Sequence, residues 1–354
     1  MRVVVTGASG SVGTALLTLL AARGGYEVVG IARRTPPVVE PYRTARWHAV
    51  DVASAGAVPV LRDVMTGADA VIHLAWGFQP SHRPDLLRGT AVRGTGAVVG
   101  AAHDAGVGHV VHMSSAAVYA PGAAGRAVDE TWPATGQPAS RYSVDKVEAE
   151  RIVTESSRLP DAPDVTVVRP GLIGQRIAGA ALRRYALPAW VPASALRTVP
   201  LVPIDASLAM PAVHADDVAV ALERTLHTRV GVLNLAAHEP VGAQDVAKSL
   251  RGRAIPVPWP VLRWLAEATW RARLQPAAGG WIDLAYLTPM LDCSRARELL
   301  GWSPAHTGPE VWRETVAGMQ DGSAGTGPVL GVRSVRTTVR VTTRQGTLGR
   351  RRLP

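Results

Sequence analysis

Lysine is almost missing from this chain of 354 residues: Lys146 and Lys248 stand against thirty-six arginines. A sequence that supplies its cations as arginine has no need of lysine for charge alone, so Lys146 marks a position where an ammonium on a flexible stem matters. Cysteine is reduced to Cys293, which excludes an internal disulfide and fits a reducing compartment. Its setting, "LDCSRARELLGW", reads as a buried small hydrophobe rather than a nucleophile. No apolar run reaches the roughly 20 residues that span a bilayer. The start, "MRVVVTGASGSVG", is broken by glycines where an export signal would stay apolar, so cytoplasm is expected.

Acidic residues are scarce at one end. Residues 321 to 354 hold seven arginines against Asp321 and so carry +6 of the net charge of +10, which leaves only +4 on the body. That segment lacks aromatics and is expected to be a disordered basic tail whose removal leaves cofactor affinity intact. No nucleic-acid motif accompanies it, so no specific nucleic-acid partner is expected. The stretch "PVPWPVLRWLAEATWRARL", with Trp264 and Trp270, reads as a lobe helix rather than a membrane-surface helix.

What is present is a series of β-branched runs alternating with helical stretches: "RVVVTG", "EVVGIAR", "WHAVDV", "DAVIHLAW", "GHVVHMSS" and "VTVVRPG". Continuous hydrophobicity predicts strands covered on both faces, hence a doubly wound parallel α/β sheet of Rossmann type. The expected division is a dinucleotide-binding core over 1–175, a smaller substrate lobe over 176–320 interleaved with the last sheet strands at about 205–237, and the tail over 321–354.

The first strand runs into "TGASGSVG", which spaces Gly7, Gly10 and Gly13 as G-x-x-G-x-x-G directly before a helical pattern. Such glycines let backbone approach a pyrophosphate at a helix N-terminus, where free N–H groups favour an anion. Where an acid would hold the two ribose hydroxyls of NAD, the second strand reads Ala32 and then Arg33 and Arg34. Guanidinium groups there suit the 2′-phosphate of NADP, so NADP is the preferred cofactor and NAD the alternative. Tyr142 and Lys146 stand four apart in "RYSVDKVEAE", which puts phenol and ammonium on one helix face. His73 and the group His214, Asp216 and Asp217 are read as structural and capping residues, and no metal site is expected.

In this order the motifs resemble the extended short-chain dehydrogenase/reductases, in particular the NAD-dependent epimerase/dehydratase family, over residues 1 to about 316. The resemblance implies catalysis by Ser115 of "MSSAAVY" with Tyr142 and Lys146, with Ser114 as the rival serine. It implies a dinucleotide held by Gly7, Ser9, Gly10, Val12, Gly13, Arg33, Arg34, Asp51, Val52, Leu74 and Ala75 together with Tyr142 and Lys146. Trp76, Ser115 and Arg169 of "RPG" are the candidates for substrate contact. Two departures stand out: Ala91 in "AVRGT" replaces a usual Asn, and "VRPGLIGQ" lacks the Asn that sugar-nucleotide enzymes place beyond it.

The expected activity is hydride transfer at a carbinol or carbonyl carbon of a small or sugar-like molecule. Alternatives are an NADPH-dependent ketone or aldehyde reductase and a non-catalytic NADP-binding regulator. A homodimer is compatible with this reading, and the Lys146 ammonium is expected to lower the pKa of Tyr142.

Overall fold

Valine-rich segments form a seven-stranded sheet in the computed structural model, which describes residues 1–77, 84–122, 126–186, 193–275 and 277–331. The strands are β1 (Arg2–Thr6), β2 (Glu27–Ala32), β3 (Arg46–Ala49), β4 (Ala70–His73), β5 (His109–Met113), β6 (Asp164–Pro170) and β7 (Val232–Leu235). Their order is β7-β6-β5-β4-β1-β2-β3, with every pairing parallel. Strand alternation explains the unbroken hydrophobicity. Val3 and Val5 pack with Leu16, Leu17 and Leu222 on one face, while Val4 packs with Leu61, Val98 and Val153 on the other.

The covering helices are α1 (Ser11–Arg23), α2 (Ala57–Met65), α3 (Gly94–Asp104), α4 (Arg141–Ser156) and, beyond the lobe helix α5 (Gly179–Ala186), α6 (Ala215–Thr225). From β1 the chain builds outward through β2 and β3, then returns to place β4 on the other side of β1. This reversal opens a crevice at the carboxyl ends of β1 and β4, where ligands of such sheets bind.

A smaller layer covers that crevice. It includes the strand pair Leu201–Ile204 and Arg253–Pro256, helices α5, α7 (Trp259–Arg271) and α8 (Gly280–Leu287), and a core around Val202, Ile204, Leu208 and Ala247. Between these segments, α6 and β7 return to the sheet. Helix α9 (Gly308–Asp321) crosses α5 so closely that a Cβ on Gly179 would stand 2.1 Å from the Gly318 carbonyl carbon.

Residues 322–331, assigned from the sequence to the disordered tail, instead run back over the crevice. Leu330 is 1% exposed and packs on Ala178 and Ala181, and Tyr42 hydrogen-bonds the Gly327 backbone. The apolar pair Val329 and Leu330 sets this stretch apart from the polar average of the segment. The rest of the expected tail, 332–354, lies outside the described residues.

Candidate active site

The glycine loop leaves β1 at Gly7, whose φ of +70° a side chain rarely adopts and whose Cβ would stand 2.7 Å from the Ala75 nitrogen. Gly13, in the first turn of α1, lies so near the loop that a Cβ would meet the Ala8 carbonyl oxygen at 2.5 Å. With the Gly10 amide bonded to the Gly7 carbonyl at 2.9 Å, the loop turns tightly into α1, whose first turn carries no acidic residue. These features fit a dinucleotide: backbone exposed for close approach and an uncontested helix N-terminus for a pyrophosphate.

One cavity of ≈ 420 Å³ is lined by Gly7, Ser9, Gly10, Val12, Gly13, Arg33, Asp51, Val52, Leu74, Ala75, Trp76, Ser115, Tyr142 and Lys146. Two residues expected there are not among its lining. Arg34 turns aside and donates to the Pro328 carbonyl at 3.3 Å. Arg169 is 5% exposed and pairs with Glu150, while also bonding the Tyr119 hydroxyl at 3.0 Å. Its assignment to substrate contact is therefore corrected: strand alternation directs its side chain into a buried ion pair while Pro170 and Gly171 reach the cavity.

Helix α4 is fastened to the loop after β5. The Ser143 hydroxyl donates to the Ala117 carbonyl at 2.6 Å and accepts from the Gln137 amide at 2.7 Å, and Ser140 caps the helix by accepting from the Ser143 amide. This junction holds the Tyr142 hydroxyl in hydrogen bonding with the Ser115 side chain. Ser114 is engaged elsewhere, donating to Glu150 at 2.6 Å, which leaves Ser115 as the serine at the phenol.

One turn along α4, Lys146 Nζ donates to the Met113 carbonyl at 2.8 Å and lies 3.6 Å from the centroid of the Trp76 indole. Burial lowers its pKa to about 7 and raises that of Tyr142 to about 12, against which the Ser115 hydrogen bond acts. In the protein by itself, loss of water around the phenol therefore dominates and keeps its proton on at neutral pH, whereas the expected depression draws also on the charge of a nicotinium.

Beneath the site, His73 bridges Thr6 Oγ1 at 2.7 Å and Thr95 Oγ1 at 3.0 Å, and it stacks on His112. Burial lowers the His73 pKa to about 3, so it is a neutral packing element. His214 Nδ1 accepts from the Asp216 amide and so caps α6. Cys293 is buried and its thiol is pushed up to about 12 by burial. Ala91 sits in a π-helical stretch, Gly89–Arg93, and its carbonyl accepts from Thr95.

Of the aromatic and aliphatic wall around Tyr142, Trp76 was expected from the sequence and the rest was not. Trp76 meets the phenol edge-on at 6.0 Å and Trp281, from α8, tilts against it at 5.6 Å between ring centroids. Gly280 permits this approach, since a Cβ there would stand 2.3 Å from the Ala139 carbonyl oxygen. The lining also includes Leu172, Ile173, Met210, Leu284, Val329 and Leu330. Besides Trp76, the apolar pair in the otherwise polar tail gave a local signal.

The model of the NAD dependent epimerase/dehydratase family matches residues 3–236. The chain is 29% identical over 314 residues to an uncharacterized protein of Mycobacterium tuberculosis (strain H37Rv), covering 88% of this chain and 29% of that protein. It is 32% identical over 184 residues to a 4-hydroxy-2-methyl-3-oxo-4-farnesyl-3,4-dihydroquinoline-1-oxide ketoreductase of Stigmatella aurantiaca, covering 49% of this chain and 50% of that enzyme. Among solved structures, MoeE5 in complex with UDP-glucose and NAD is similar at TM-score 0.63 and 25% identity, over 91% of this chain and 99% of that one. A Thermus thermophilus UDP-glucose 4-epimerase in complex with NAD is similar in fold at TM-score 0.67 and 20% identity, over 91% of this chain and 100% of that one.

Proposed function

The chain belongs to the NAD dependent epimerase/dehydratase family, and from that premise we propose that its cavity carries out reversible hydride transfer at a carbinol or carbonyl carbon through Ser115, Tyr142 and Lys146. The observation that carries this reading is the hydrogen bond between Tyr142 and Ser115 in the same cavity as the glycine loop, with Lys146 one helical turn away. A bound nicotinamide dinucleotide supplies or accepts the hydride. Gly7, Gly10 and Gly13 would hold its pyrophosphate, and Asp51 and Val52 would take its adenosine end.

Tyr142 exchanges the proton of the reacting oxygen and Ser115 orients that oxygen by hydrogen bonding. Lys146 supplies positive charge beside the phenol, which stabilises the phenolate once its proton has left. A protonated Tyr142 is ready to give its proton to a carbonyl oxygen in the reducing direction. The partial similarity to a ketoreductase supports the same direction.

NADP is the cofactor we favour. Ala32 offers no carboxylate to repel a 2′-phosphate, and Arg33 lines the cavity beside it. The relatives of solved structure named above hold NAD, and Arg33 is the residue on which the preference for NADP rests. The test is oxidation of NADPH and NADH by purified protein across a panel of ketones, followed by loss of reduced-nicotinamide absorbance. Turnover that persists in Tyr142→Phe would remove the proposed mechanism.

A further inference from the structure

Beyond Tyr142 the cavity turns apolar. Leu172, Ile173, Met210, Leu284 and Ala285 line it, with Thr288 contributing a hydroxyl. Among its described lining residues the cations are Arg33 and Lys146. Arg33 follows β2, at the end assigned above to the adenosine, and Lys146 is committed to the Met113 carbonyl and the Trp76 face. Arg169, the nearest guanidinium in the sequence to the cavity-lining Pro170, is spent on Glu150.

A nucleoside diphosphate sugar would bring two phosphate charges against these described lining residues, which are apolar here, and buried charges without partners cost several kcal/mol each. A flat apolar skeleton instead finds two indoles, because Trp76 and Trp281 both lie against Tyr142. Two of the cavity's polar groups, the Tyr142 and Ser115 hydroxyls, meet at one point, while Thr288 Oγ1 already accepts from Gln137, which suits a ligand with a single oxygen to be held.

We propose that the substrate is an uncharged, largely apolar ketone, or the secondary alcohol it yields, with Trp76 and Trp281 as its specificity-determining residues. The proposal rests on the hydride-transfer reading of the same site. In the reducing direction the carbonyl carbon takes the hydride of the reduced dinucleotide and the C=O π pair moves to oxygen. That oxygen takes the Tyr142 proton, giving the alcohol and oxidised dinucleotide, and the phenol is reprotonated from solvent.

The test measures binding separately from turnover. Full-length protein loaded with oxidised dinucleotide is titrated with 2-tetralone, 2-decalone and UDP-glucose by calorimetry, in wild type and in Tyr142→Phe. Saturable binding of the two ketones in both proteins is expected, with UDP-glucose weaker by at least roughly a hundredfold, as two unpaired buried charges require. Trp281→Ala should weaken ketone binding roughly tenfold or more while leaving dinucleotide affinity unchanged, and Trp281→Phe, which keeps a ring, should stay within about threefold of wild type. Tighter binding of UDP-glucose than of either ketone, or ketone affinity indifferent to both Trp281 variants, would overturn the proposal. Ketones that bind as expected but are never reduced would leave the substrate class standing and remove the hydride-transfer reading instead.

Discussion

Lys146 Nζ rests 3.6 Å above the Trp76 indole, with its other visible partner the Met113 carbonyl at 2.8 Å. Both contacts favour the ammonium, yet burial pulls the pKa from an ordinary 10.5 to about 7. A lysine so placed gains or loses its proton near physiological pH, as a group that adjusts the charge at the proposed site would.

The first prediction concerns that titration. With two lysines in the chain, ε-carbon labelling gives two lysine signals by NMR. One should move with a midpoint near 7 and vanish in Lys146→Met. The sign for stability follows: between about 7 and 10.5 the unfolded chain holds the proton that the folded protein has released, so stability rises with pH across this window. The penalty from burying the ammonium is full below about 7, and Lys146→Met should flatten this part of the profile. Two signals that both titrate together near the ordinary value would show that Lys146 is not desolvated.

Cofactor choice gives a second expected outcome. Arg33 lines the cavity, whereas Arg34 is held by the Pro328 carbonyl, so discrimination should reside in Arg33 alone. NADPH should bind more tightly than NADH, and Arg33→Ala should remove about 1 to 3 kcal/mol of that difference, the range for charge-assisted hydrogen bonds. Arg34→Ala should leave the ratio nearly as it was. Equal affinities of wild-type protein for the two dinucleotides would end the argument for NADP.

These contrasts mark how far the sequence could be read. The sheet was legible because each strand is covered on both faces, and Gly7 and Gly13 because only glycine tolerates those contacts. Tyr142 and Lys146 share a face by helical spacing, a purely local relation. Arg169 was misread because its partner Glu150 lies on another element, and nothing near "RPG" reveals which way the strand turns that side chain. Trp281 and Leu330 reach the cavity from segments remote in sequence, so their roles depend on tertiary packing that local pattern does not encode.

The stretch from Gly322 to Gly331 changes an expectation. Val329 and Leu330 wall the cavity, and a Cβ on Gly327 would strike the Tyr42 hydroxyl at 2.5 Å, so this strap is fitted against the dinucleotide end. Truncation after Gly322 should preserve the fold, since α9 ends before it, but should speed dinucleotide dissociation by roughly tenfold, as loss of a covering loop does. Leu330→Asp in the full chain should act alike, because a carboxylate cannot stay in the apolar pocket of Ala178 and Ala181. Stopped-flow displacement of bound dinucleotide reads both. Unchanged rates in both variants would mean that the strap packs against the cavity without restraining what it holds.

The scarcity of lysine returns as a test of the proposed chemistry. At Lys146 an ammonium fits between the Met113 carbonyl and the Trp76 face, a space enclosed enough to leave the residue 2% exposed. Arginine would keep the charge, but its planar fork is larger, spreads that charge and does not release a proton in the accessible pH range. Lys146→Arg should therefore fold and still bind some dinucleotide, yet lose at least about two orders of magnitude in kcat, and its pH profile should lack the limb near 7 expected of wild-type protein. Tyr142→Phe should lose as much or more at every pH, because it removes the proton itself rather than the charge that steers it. If Lys146→Arg turned over at the wild-type rate with the wild-type pH profile, the lysine would serve packing alone, and the positive charge beside Tyr142 would have no part in the reaction.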